Sequence, residues 1–254
     1  MTPAVLVINL DGSEGRLASA SDALERLGFA WTRVAAVDGR GRDPRGFPAY
    51  DDGAARAYMG RSMTGAEVAC HLSHARAARA FLEGGAAHAL VLEDDFHLAE
   101  GAAGAMPAVL AWLASPAAPR WDVANLGAHK RKISTEVARV ADRSILAAHY
   151  FPMLATAILW TRPAAEAFVA ASARIARPAD NELRHWQTRT GRGLSVWPPL
   201  IGAGRHASDI DSRTRRTDKG KRGRLYGLRK QRRLWDDKAR AAIWKLRWAA
   251  GRGA

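Results

Sequence analysis

The sequence predicts an α/β protein with a mostly parallel central sheet flanked by helices, followed by a basic helical tail. Three observations predict this class: a β-α-β opening, continued alternation of apolar strands with helices, and a C-terminal segment of different composition. The chain has 254 residues, of which 48% are hydrophobic and 25% charged. This length fits one domain with an appendage.

The opening unit is defined by three adjoining patterns. Residues 4–10 form a continuous β-prone apolar run, which is typical of a strand buried on both faces. A helical pattern follows Asp11-Gly12 and ends at Gly28, and residues 29–37 then form a second strand. A strand, a helix and a second strand in this order imply a parallel pair with a right-handed crossover.

The later elements follow the same alternation. Residues 40–63 are rich in Gly, Pro and Asp, and we expect an irregular loop there. Thr64 and Glu67 have capping-box spacing, so a helix should begin here and run to about Leu82. Further strands are expected at 88–92, 121–126, 155–161 and 194–197, and helices from 162 to about 173 and at 180–190.

Cysteine content and hydropathy restrict the class of protein. Cys70 is the one cysteine, which excludes an intrachain disulfide and a Cys-rich zinc site. No stretch approaches the roughly 18 apolar residues needed to span a bilayer, and the N-terminus lacks signal-peptide features. We therefore expect a soluble or peripheral protein in the cytoplasm.

The net charge of +14 is concentrated at one end of the chain. Residues 213–254 hold 16 Lys and Arg against three acids, whereas residues 1–212 hold 23 basic and 22 acidic residues. A nucleic-acid-binding fold would spread basic residues over its body, so no specific nucleic acid is expected. The sequence predicts a nearly neutral body over 1–212 and a basic amphipathic tail over 213–254.

An acidic motif follows the predicted strand at 88–92. Glu93, Asp94 and Asp95 should lie at the carboxyl edge of the sheet, where open α/β folds bind ligands. Clustered carboxylates are hard oxygen ligands that suit Mg²⁺ or Mn²⁺ bridging a diphosphate. A solvated acidic turn is the alternative that these residues leave open.

The turn after the first strand is a candidate anion site. Asn9 ends that strand and Arg16 lies on the following helix, whose N-terminus presents backbone N–H groups. The turn has no Walker or GxGxxG pattern, which disfavours a P-loop enzyme and a dinucleotide oxidoreductase. A surface arginine without a ligand is the alternative.

The predicted helix after Thr64 carries several candidate metal ligands. Glu67, Cys70 or His71, and His74 share one helical face. Their order is not HExxH and nothing nearby is expected to supply a third strong ligand, so the sequence favours structural histidines. A thiol in mid-helix is usually buried and inert, so covalent catalysis is not expected.

Taken in order, these motifs resemble glycosyltransferase family 25, the lipooligosaccharide galactosyltransferases related to the collagen galactosyltransferases. The resemblance covers roughly residues 4–210. The matching segments are VINLDGSEGR (7–16), VAAVDG (34–39), TGAEVACHLSH (64–74), VLEDD (91–95), WDVANLG (121–127), ATAILW (155–160), RPAD (177–180) and SDI (208–210).

The resemblance implies a GT-A-type nucleotide-binding fold over the catalytic domain at 1–212. It also implies a UDP-sugar donor, most simply UDP-galactose, a Mn²⁺ or Mg²⁺ cofactor, and inversion at the anomeric carbon. Glu93, Asp94 and Asp95 lie where the family has its DxD-like metal and diphosphate motif. Asn9, Arg16 and Asp38 fall in its nucleotide-binding unit.

Two positions depart from the family pattern. Trp160 replaces a small or hydroxylated residue, which bears on donor or acceptor preference. Ala179 replaces a valine and leaves the following Asp180 unchanged.

The mechanism expected from the resemblance assigns a role to each acidic residue. Asp95, helped by Glu93 or Asp94, would hold the cation against the UDP diphosphate. Asp180 is the candidate catalytic base, with an N-cap as its alternative role. His206 is a candidate late metal ligand, with a plain loop histidine as the alternative.

The tail suggests a location for the enzyme. A helix between residues 225 and 248 would group Leu228, Trp235, Ala239, Ala242, Ile243 and Leu246 on one side, with Trp244 and Trp248 near its edge. A basic helix with such a stripe can lie on an anionic membrane. We expect a bacterial enzyme on the inner face of the cell membrane that uses a saccharide or lipid-linked saccharide acceptor. The alternatives are packing on the catalytic domain and nucleic-acid affinity from charge alone.

Other functions remain compatible with the motifs. A different nucleotide-sugar transferase or a metal-dependent phosphohydrolase would also use the acidic motif. A membrane or nucleic-acid adaptor without catalysis would explain the tail and leave the clustered acids without a role.

Overall fold

A computed structural model describes residues 2–204 and 226–251. The strands are β1 (Ala4–Asn9), β2 (Trp31–Ala35), β3 (His88–Glu93), β4 (Phe96–Leu98), β5 (Val123–Asn125), β6 (Thr135–Val140), β7 (Arg143–Ala147), β8 (Ala157–Thr161), β9 (Gly193–Trp197) and β10 (Ile201–Ala203). The helices are α1 (Glu14–Arg26), α2 (Asp52–Met59), α3 (Gly65–Glu83), α4 (Ala102–Leu113), α5 (Arg162–Ala171), α6 (Ala179–Thr190) and α7 (Tyr226–Ala249).

One eight-stranded sheet forms the centre of the molecule, in the order β2-β1-β3-β8-β5-β9-β7-β6. Its pairings make six strands run in one direction and β8 and β7 in the other. The predicted large, mostly parallel sheet flanked by helices is therefore confirmed, and the two reversed strands make the sheet mixed. β4 and β10 form a separate antiparallel pair.

The apolar run of β1 is continuous because both of its faces are covered. Val5 and Val7 contribute to a core layer that includes residues of α1 and α4. Leu6 and Ile8 contribute to the opposite layer, with residues of α3, α5 and α6. β1 pairs in parallel with both β2 and β3, so the carboxyl ends of these three strands meet at one edge.

The start of α3 confirms the predicted capping box. Thr64 Oγ1 accepts from the Glu67 N–H at 3.1 Å, and Glu67 Oε2 accepts from the Thr64 N–H at 2.9 Å. Arg61 also forms an ion pair with Glu67 at 2.6 Å. Glu67 is therefore committed to the helix N-terminus.

The prediction of an irregular loop over 40–63 is wrong in part. The segment contains a 3-10 turn at Pro44–Gly46 and the eight-residue helix α2. The Asp51 side chain accepts from the Ala54 N–H at 2.8 Å, and Gly60, with φ 74°, is the C-cap of α2. Eight residues are too few to show helical periodicity, although both caps are visible in the sequence.

The predicted tail helix is present as α7 and lies against the body. Asp237 and Ala241 on α7 are buried, and Arg189 on α6 forms ion pairs with Asp237 at 3.0 Å and Asp236 at 3.2 Å. Trp244 lies over Gly191. Trp244 therefore faces the body. The sequence analysis placed it near the edge of the apolar stripe, and that expectation is wrong.

Trp248 occupies the same side of α7 as Trp244. Its ring centroid lies 6.1 Å from that of His149 in the body. Among the helices within residues 2–204 and 226–251, none is both long and apolar enough to cross a bilayer.

Candidate active site

A pocket of about 180 Å³ opens at the carboxyl edge of β1, β2 and β3. Seven of the residues singled out from the sequence line it, namely Arg16, Asp38, Cys70, His74, Glu93, Asp94 and Asp95. They come from four separate motifs, which the parallel register of the strands and the packing of α3 bring together.

Asp94 is held in place by its neighbours. Asn9 Nδ2 donates to Asp94 Oδ2 at 2.7 Å, and Arg33 Nε donates to Asn9 Oδ1 at 2.9 Å. Arg16 Nη1 lies 3.7 Å from Asp94 Oδ1. Burial raises the pKa of Asp94, while Asn9 and Arg16 oppose that rise. Asn9 is buried behind the pocket wall, so in this structure it orients Asp94.

Asp95 is the least compensated acid of the three. Its Oδ1 atom is buried and has no hydrogen-bond partner among the described residues. Burial, followed by the negative charges of Glu93 and Asp94, raises the pKa of Asp95 to about 6. The Asp95 carboxylate is thus suited to contact a cation that binds in the pocket together with an anionic ligand.

Glu93 turns toward α3. Its Oε2 accepts from Thr156 Oγ1 at 3.1 Å, and its Oε1 lies 3.2 Å from His74 Nε2 and 3.8 Å from Cys70 Sγ. Burial by itself would raise the pKa of Glu93, but the interactions with His74, Thr156 and Cys70 outweigh it and lower that pKa.

This arrangement corrects the expectation that no third strong ligand lies near Cys70 and His74. Glu93 lies beside them because the end of β3 meets α3 in space. The separation of 19 residues between His74 and Glu93 hides this contact in the sequence.

The other histidine of this helix is structural, as the sequence favoured. His71 Nδ1 lies 2.8 Å from the carbonyl oxygen of Arg177, and its Nε2 lies 3.0 Å from Ser172 Oγ. These contacts join α3 to the segments around α5 and α6.

Asp38 lies at the exposed rim of the pocket. The Arg40 side chain and backbone N–H both donate to its carboxylate, and these hydrogen bonds lower the pKa of Asp38 to about 2. Asp38 therefore stays ionised and carries its charge paired with Arg40.

Two glycines that sequence reasoning did not single out shape this wall of the pocket. A Cβ atom on Gly39 would lie 2.2 Å from the Gly65 carbonyl oxygen and 2.5 Å from Ala69 Cβ. The loop after β2 can therefore approach the first turn of α3 only because residue 39 lacks a side chain. Gly39 ends the segment VAAVDG and Gly65 lies in the segment TGAEVACHLSH, so these family-like segments were the signal that could have identified both glycines.

Asp180 lies close enough to Cys70 and Glu93 for their charges to interact. It is the second residue of α6, whose N-cap is Pro178, so the alternative role of Asp180 as N-cap is wrong. Asp180 Oδ1 accepts from Asn181 N–H at 2.7 Å. Burial raises the pKa of Asp180, and the negative charge of Glu93 adds to the rise. Asp180 thus shares the electrostatic environment of Glu93 without lining the pocket.

The remaining candidates lie elsewhere. Trp160 packs in the core against Phe168, with ring centroids 5.1 Å apart, and does not line the pocket. His206 and the Ser208-Asp209-Ile210 segment lie outside the described residues. Arg16, Asp94 and Asp95 also border a neighbouring pocket of about 790 Å³ that reaches Gly204.

The protein is thus a mixed α/β protein whose arginine and clustered carboxylates lie at the carboxyl edge of the sheet, where open α/β folds bind ligands. Residues 2–112 match the family model of glycosyltransferase family 25 (LPS biosynthesis protein). This match confirms the resemblance to that family over the part of the chain that forms the pocket, and it supports a glycosyltransferase.

No curated protein matches the chain. Among solved structures, the chain is similar to a glycosyltransferase involved in the glycosylation of the major capsid of PBCV-1. The sequence identity is 8% and the TM-score 0.45, over 82% of this chain and 96% of that one.

Proposed function

We propose that this protein transfers a hexose, most simply galactose, from a UDP-sugar to a saccharide acceptor of a lipooligosaccharide or another surface glycan. One observation carries the proposal: the acidic motif and Arg16 line one pocket, and all of that pocket lies within the residues that match the family model. The transfer is metal-assisted and inverts the anomeric carbon, on a GT-A-type fold.

Donor binding is assigned to the turn between β1 and α1. Arg16 lies in the first turn of α1, where backbone N–H groups have no acceptor within the helix and the helix dipole gives a partial positive charge. A diphosphate at this position gains charge-assisted hydrogen bonds from the guanidinium. Asp38 and Arg40 at the rim offer further polar contacts to the nucleoside.

The residues present fit a divalent cation. The buried Oδ1 of Asp95 lacks a partner among the described residues, and carboxylate oxygens are the ligands that Mn²⁺ and Mg²⁺ prefer. Asp95 would hold the ion with help from Asp94 or Glu93. When bound, the cation supplies Lewis-acid stabilisation of the departing diphosphate.

Asp180 is proposed as the base. Inversion by direct displacement forms a bond from the acceptor oxygen to the anomeric carbon as the bond to the UDP oxygen breaks, and the hydroxyl proton passes to the base. The raised pKa of Asp180, caused first by burial, favours its taking up that proton.

The membrane is proposed as the partner of α7. Four large hydrophobic side chains on this helix are exposed: Leu228 (71%), Trp235 (69%), Ile243 (51%) and Leu246 (70%). Exposed basic residues flank this stripe: Arg229, Arg232, Lys238, Arg240, Lys245 and Arg247. A basic helix with an apolar stripe binds anionic interfaces. α7 packs on the body through its other side, so docking and membrane contact use different faces. We place the enzyme on the cytoplasmic side of the cell membrane, near lipid-linked acceptors.

The donor is tested by ligand-induced melting shifts and by transfer assays. UDP-galactose, UDP-glucose and UDP-N-acetylglucosamine are compared with and without Mn²⁺. A ligand at about 100 times its Kd stabilises the protein by about 2.7 kcal/mol. Absence of a shift with every UDP-sugar in Mn²⁺ would contradict the donor assignment. Phosphate release without UDP-sugar turnover would favour the phosphohydrolase alternative.

The membrane assignment is tested by cosedimentation with anionic and neutral liposomes. The full chain is compared with a chain that ends at Asp211 and with the double variant Leu228→Ser/Leu246→Ser. The double variant keeps every basic residue, each of which contributes about 1 kcal/mol near an anionic leaflet. Neither altered chain should sediment with the anionic liposomes. Recovery equal to that of the full chain would refute membrane binding through α7.

A further inference from the structure

We propose that Cys70, His74 and Glu93 form a second metal site, suited to Zn²⁺. Because Glu93 is turned toward α3, it serves this site, and Asp94 is then the helper of Asp95 in the donor cation site. All three side chains line the pocket. The inference rests on the geometry of these side chains and does not depend on the identity of the sugar donor.

The three ligand atoms converge from two elements. Cys70 and His74 are four residues apart on α3 and therefore share one face of the helix. Glu93 reaches them from the end of β3. Its Oε1 atom lies 3.2 Å from His74 Nε2 and 3.8 Å from Cys70 Sγ, and all three ligand atoms lie within 4.8 Å of one another.

The two separations that involve Glu93 are close to the edges of a zinc tetrahedron. Zn²⁺ binds Cys sulfur at about 2.3 Å and His nitrogen or carboxylate oxygen at about 2.0–2.2 Å. At tetrahedral angles, ligand atoms at these radii are about 3.3–3.6 Å apart. Both measured separations lie within a few tenths of an ångström of that range.

The donor set selects the kind of metal. A thiolate with an imidazole and one carboxylate suits Zn²⁺ and other borderline cations, whereas Mg²⁺ and Mn²⁺ prefer oxygen ligands alone. Three protein ligands with a fourth position free for water or substrate is the pattern of catalytic zinc sites. Cys70, His74 and Glu93 all line the pocket, so the fourth ligand would be water or an oxygen of a molecule bound there, such as a phosphate.

The surroundings of the site support a bound cation. Thr156 Oγ1 donates to Glu93 Oε2, which orients the carboxylate and leaves Oε1 for the metal. Cys70 would bind Zn²⁺ as the thiolate, so its proton passes to solvent when the metal binds.

The test uses Co²⁺ as a spectroscopic probe of the full-length protein without any UDP-sugar. Cys70 is the only cysteine in the 254 residues, so a thiolate-to-cobalt charge-transfer absorption reports this site alone. We expect a saturable absorption with one Co²⁺ per chain that Zn²⁺ displaces. It should vanish in Cys70→Ser, and His74→Gln should weaken Co²⁺ affinity at least tenfold.

Asp95→Asn serves as the matched variant, because it alters the proposed donor cation site and leaves the three ligands in place. Its cobalt absorption should equal that of the unaltered protein. Absence of the charge-transfer absorption in the unaltered protein, or its persistence in Cys70→Ser, would overturn the proposal. Circular dichroism of each variant shows whether a lost signal reflects lost folding. A failed donor assay leaves the cobalt result unaffected, so the two proposals fail separately.

Discussion

Three consecutive carboxylates, Glu93, Asp94 and Asp95, have three different environments. Glu93 is hydrogen-bonded toward α3, Asp94 is held by Asn9, and Asp95 has a buried oxygen without a partner among the described residues. Successive side chains at the end of a strand point in opposite directions, which separates their neighbours. One short motif thereby supplies a carboxylate bonded toward α3, a carboxylate held by Asn9, and a carboxylate with a buried oxygen that has no partner among the described residues.

Asp95→Asn should abolish Mn²⁺-dependent binding of UDP while the fold remains intact. The free energy of unfolding should rise by about 1 kcal/mol at pH 7.5, because the charged carboxylate is desolvated. The pKa of Asp95 is raised to about 6, so the unaltered protein recovers this stability as the pH falls through 6. Isothermal titration and urea unfolding at pH 7.5 and 5 measure both effects. Asp22→Asn, at an exposed residue of α1, is the control, and retained Mn²⁺-dependent binding would disprove the assignment.

Asp180→Asn should lower turnover about 100-fold or more and leave donor affinity within about twofold, because a general base acts only in the transition state. Steady-state kinetics and donor titration measure the two quantities. Glu166→Gln removes a charge from the exposed face of α5 and should change neither. A parallel loss of donor affinity would place Asp180 in donor binding instead.

At the scale of elements, α3 joins the pocket to the core. Its capping box fixes where the helix begins, its Cys70 and His74 face the pocket, and its first turn packs against Gly39. A shift of this one helix would therefore move both the proposed zinc site and the pocket wall.

Gly39→Ala should destabilise the protein by about 1–3 kcal/mol, because the added methyl group overlaps the Gly65 carbonyl and must displace α3. Urea unfolding gives the change. Gly15→Ala, where the added atom has open space, should stay within about 0.5 kcal/mol. Equal stabilities for the two variants would show that the contact is not tight.

His71 predicts a pH effect on stability. Burial lowers its pKa from the ordinary 6.5 to about 4, so the unfolded chain binds a proton at a pH where the folded protein does not. This stability is present above about pH 6.5 and is lost as the pH falls toward 4. Between pH 7.5 and 5.5 the loss should be about 1 kcal/mol.

His71→Gln isolates this contribution, because Asp95 titrates in the same range with the opposite sign. Urea unfolding across the pH range should give a smaller acid loss in the variant than in the unaltered protein. Identical pH profiles would exclude His71 as the cause.

The elements that sequence patterns predicted are those with strong local signals. The apolar run of β1 and the caps of α3 are two of them. The hairpin of β6 and β7 was not predicted from the sequence. Its turn contains Ala141 with φ 51°, whereas an Asn-Gly or Gly-Gly pair usually marks such a turn. β6 is also only partly buried, so its pattern is weak.

Only part of the candidate pocket could be predicted from the sequence. Its acidic motif and Arg16 follow from strand ends, because the carboxyl ends of parallel strands share an edge. The approach of Glu93 to Cys70 and His74 was not predictable, since it depends on how α3 packs on β3. The proximity of Asp180 to Glu93 depends in the same way on tertiary packing.

At the scale of the whole molecule, α7 is attached by a polar contact. Asp237 is buried and pairs with Arg189, whereas Asp236 is more exposed and pairs with Arg189 and Arg240. Burial makes the first pair the stronger determinant of docking.

Asp237→Asn should lower the stability by about 1–2 kcal/mol and speed hydrogen exchange in α7, because Arg189 loses its buried partner. Asp236→Asn, the exposed neighbour, should stay within about 0.5 kcal/mol. Exchange mass spectrometry resolved by peptide distinguishes the two. Similar exchange in both variants would show that the apolar contacts of α7 suffice for docking.

The ion pair between α6 and α7 has a mechanical consequence. Asp180 lies in the first turn of α6 and Arg189 in its last, about 13 Å apart at 1.5 Å rise per residue. Because α6 is one uninterrupted helix of 12 residues, the arginine that holds α7 and the proposed base belong to the same rigid element.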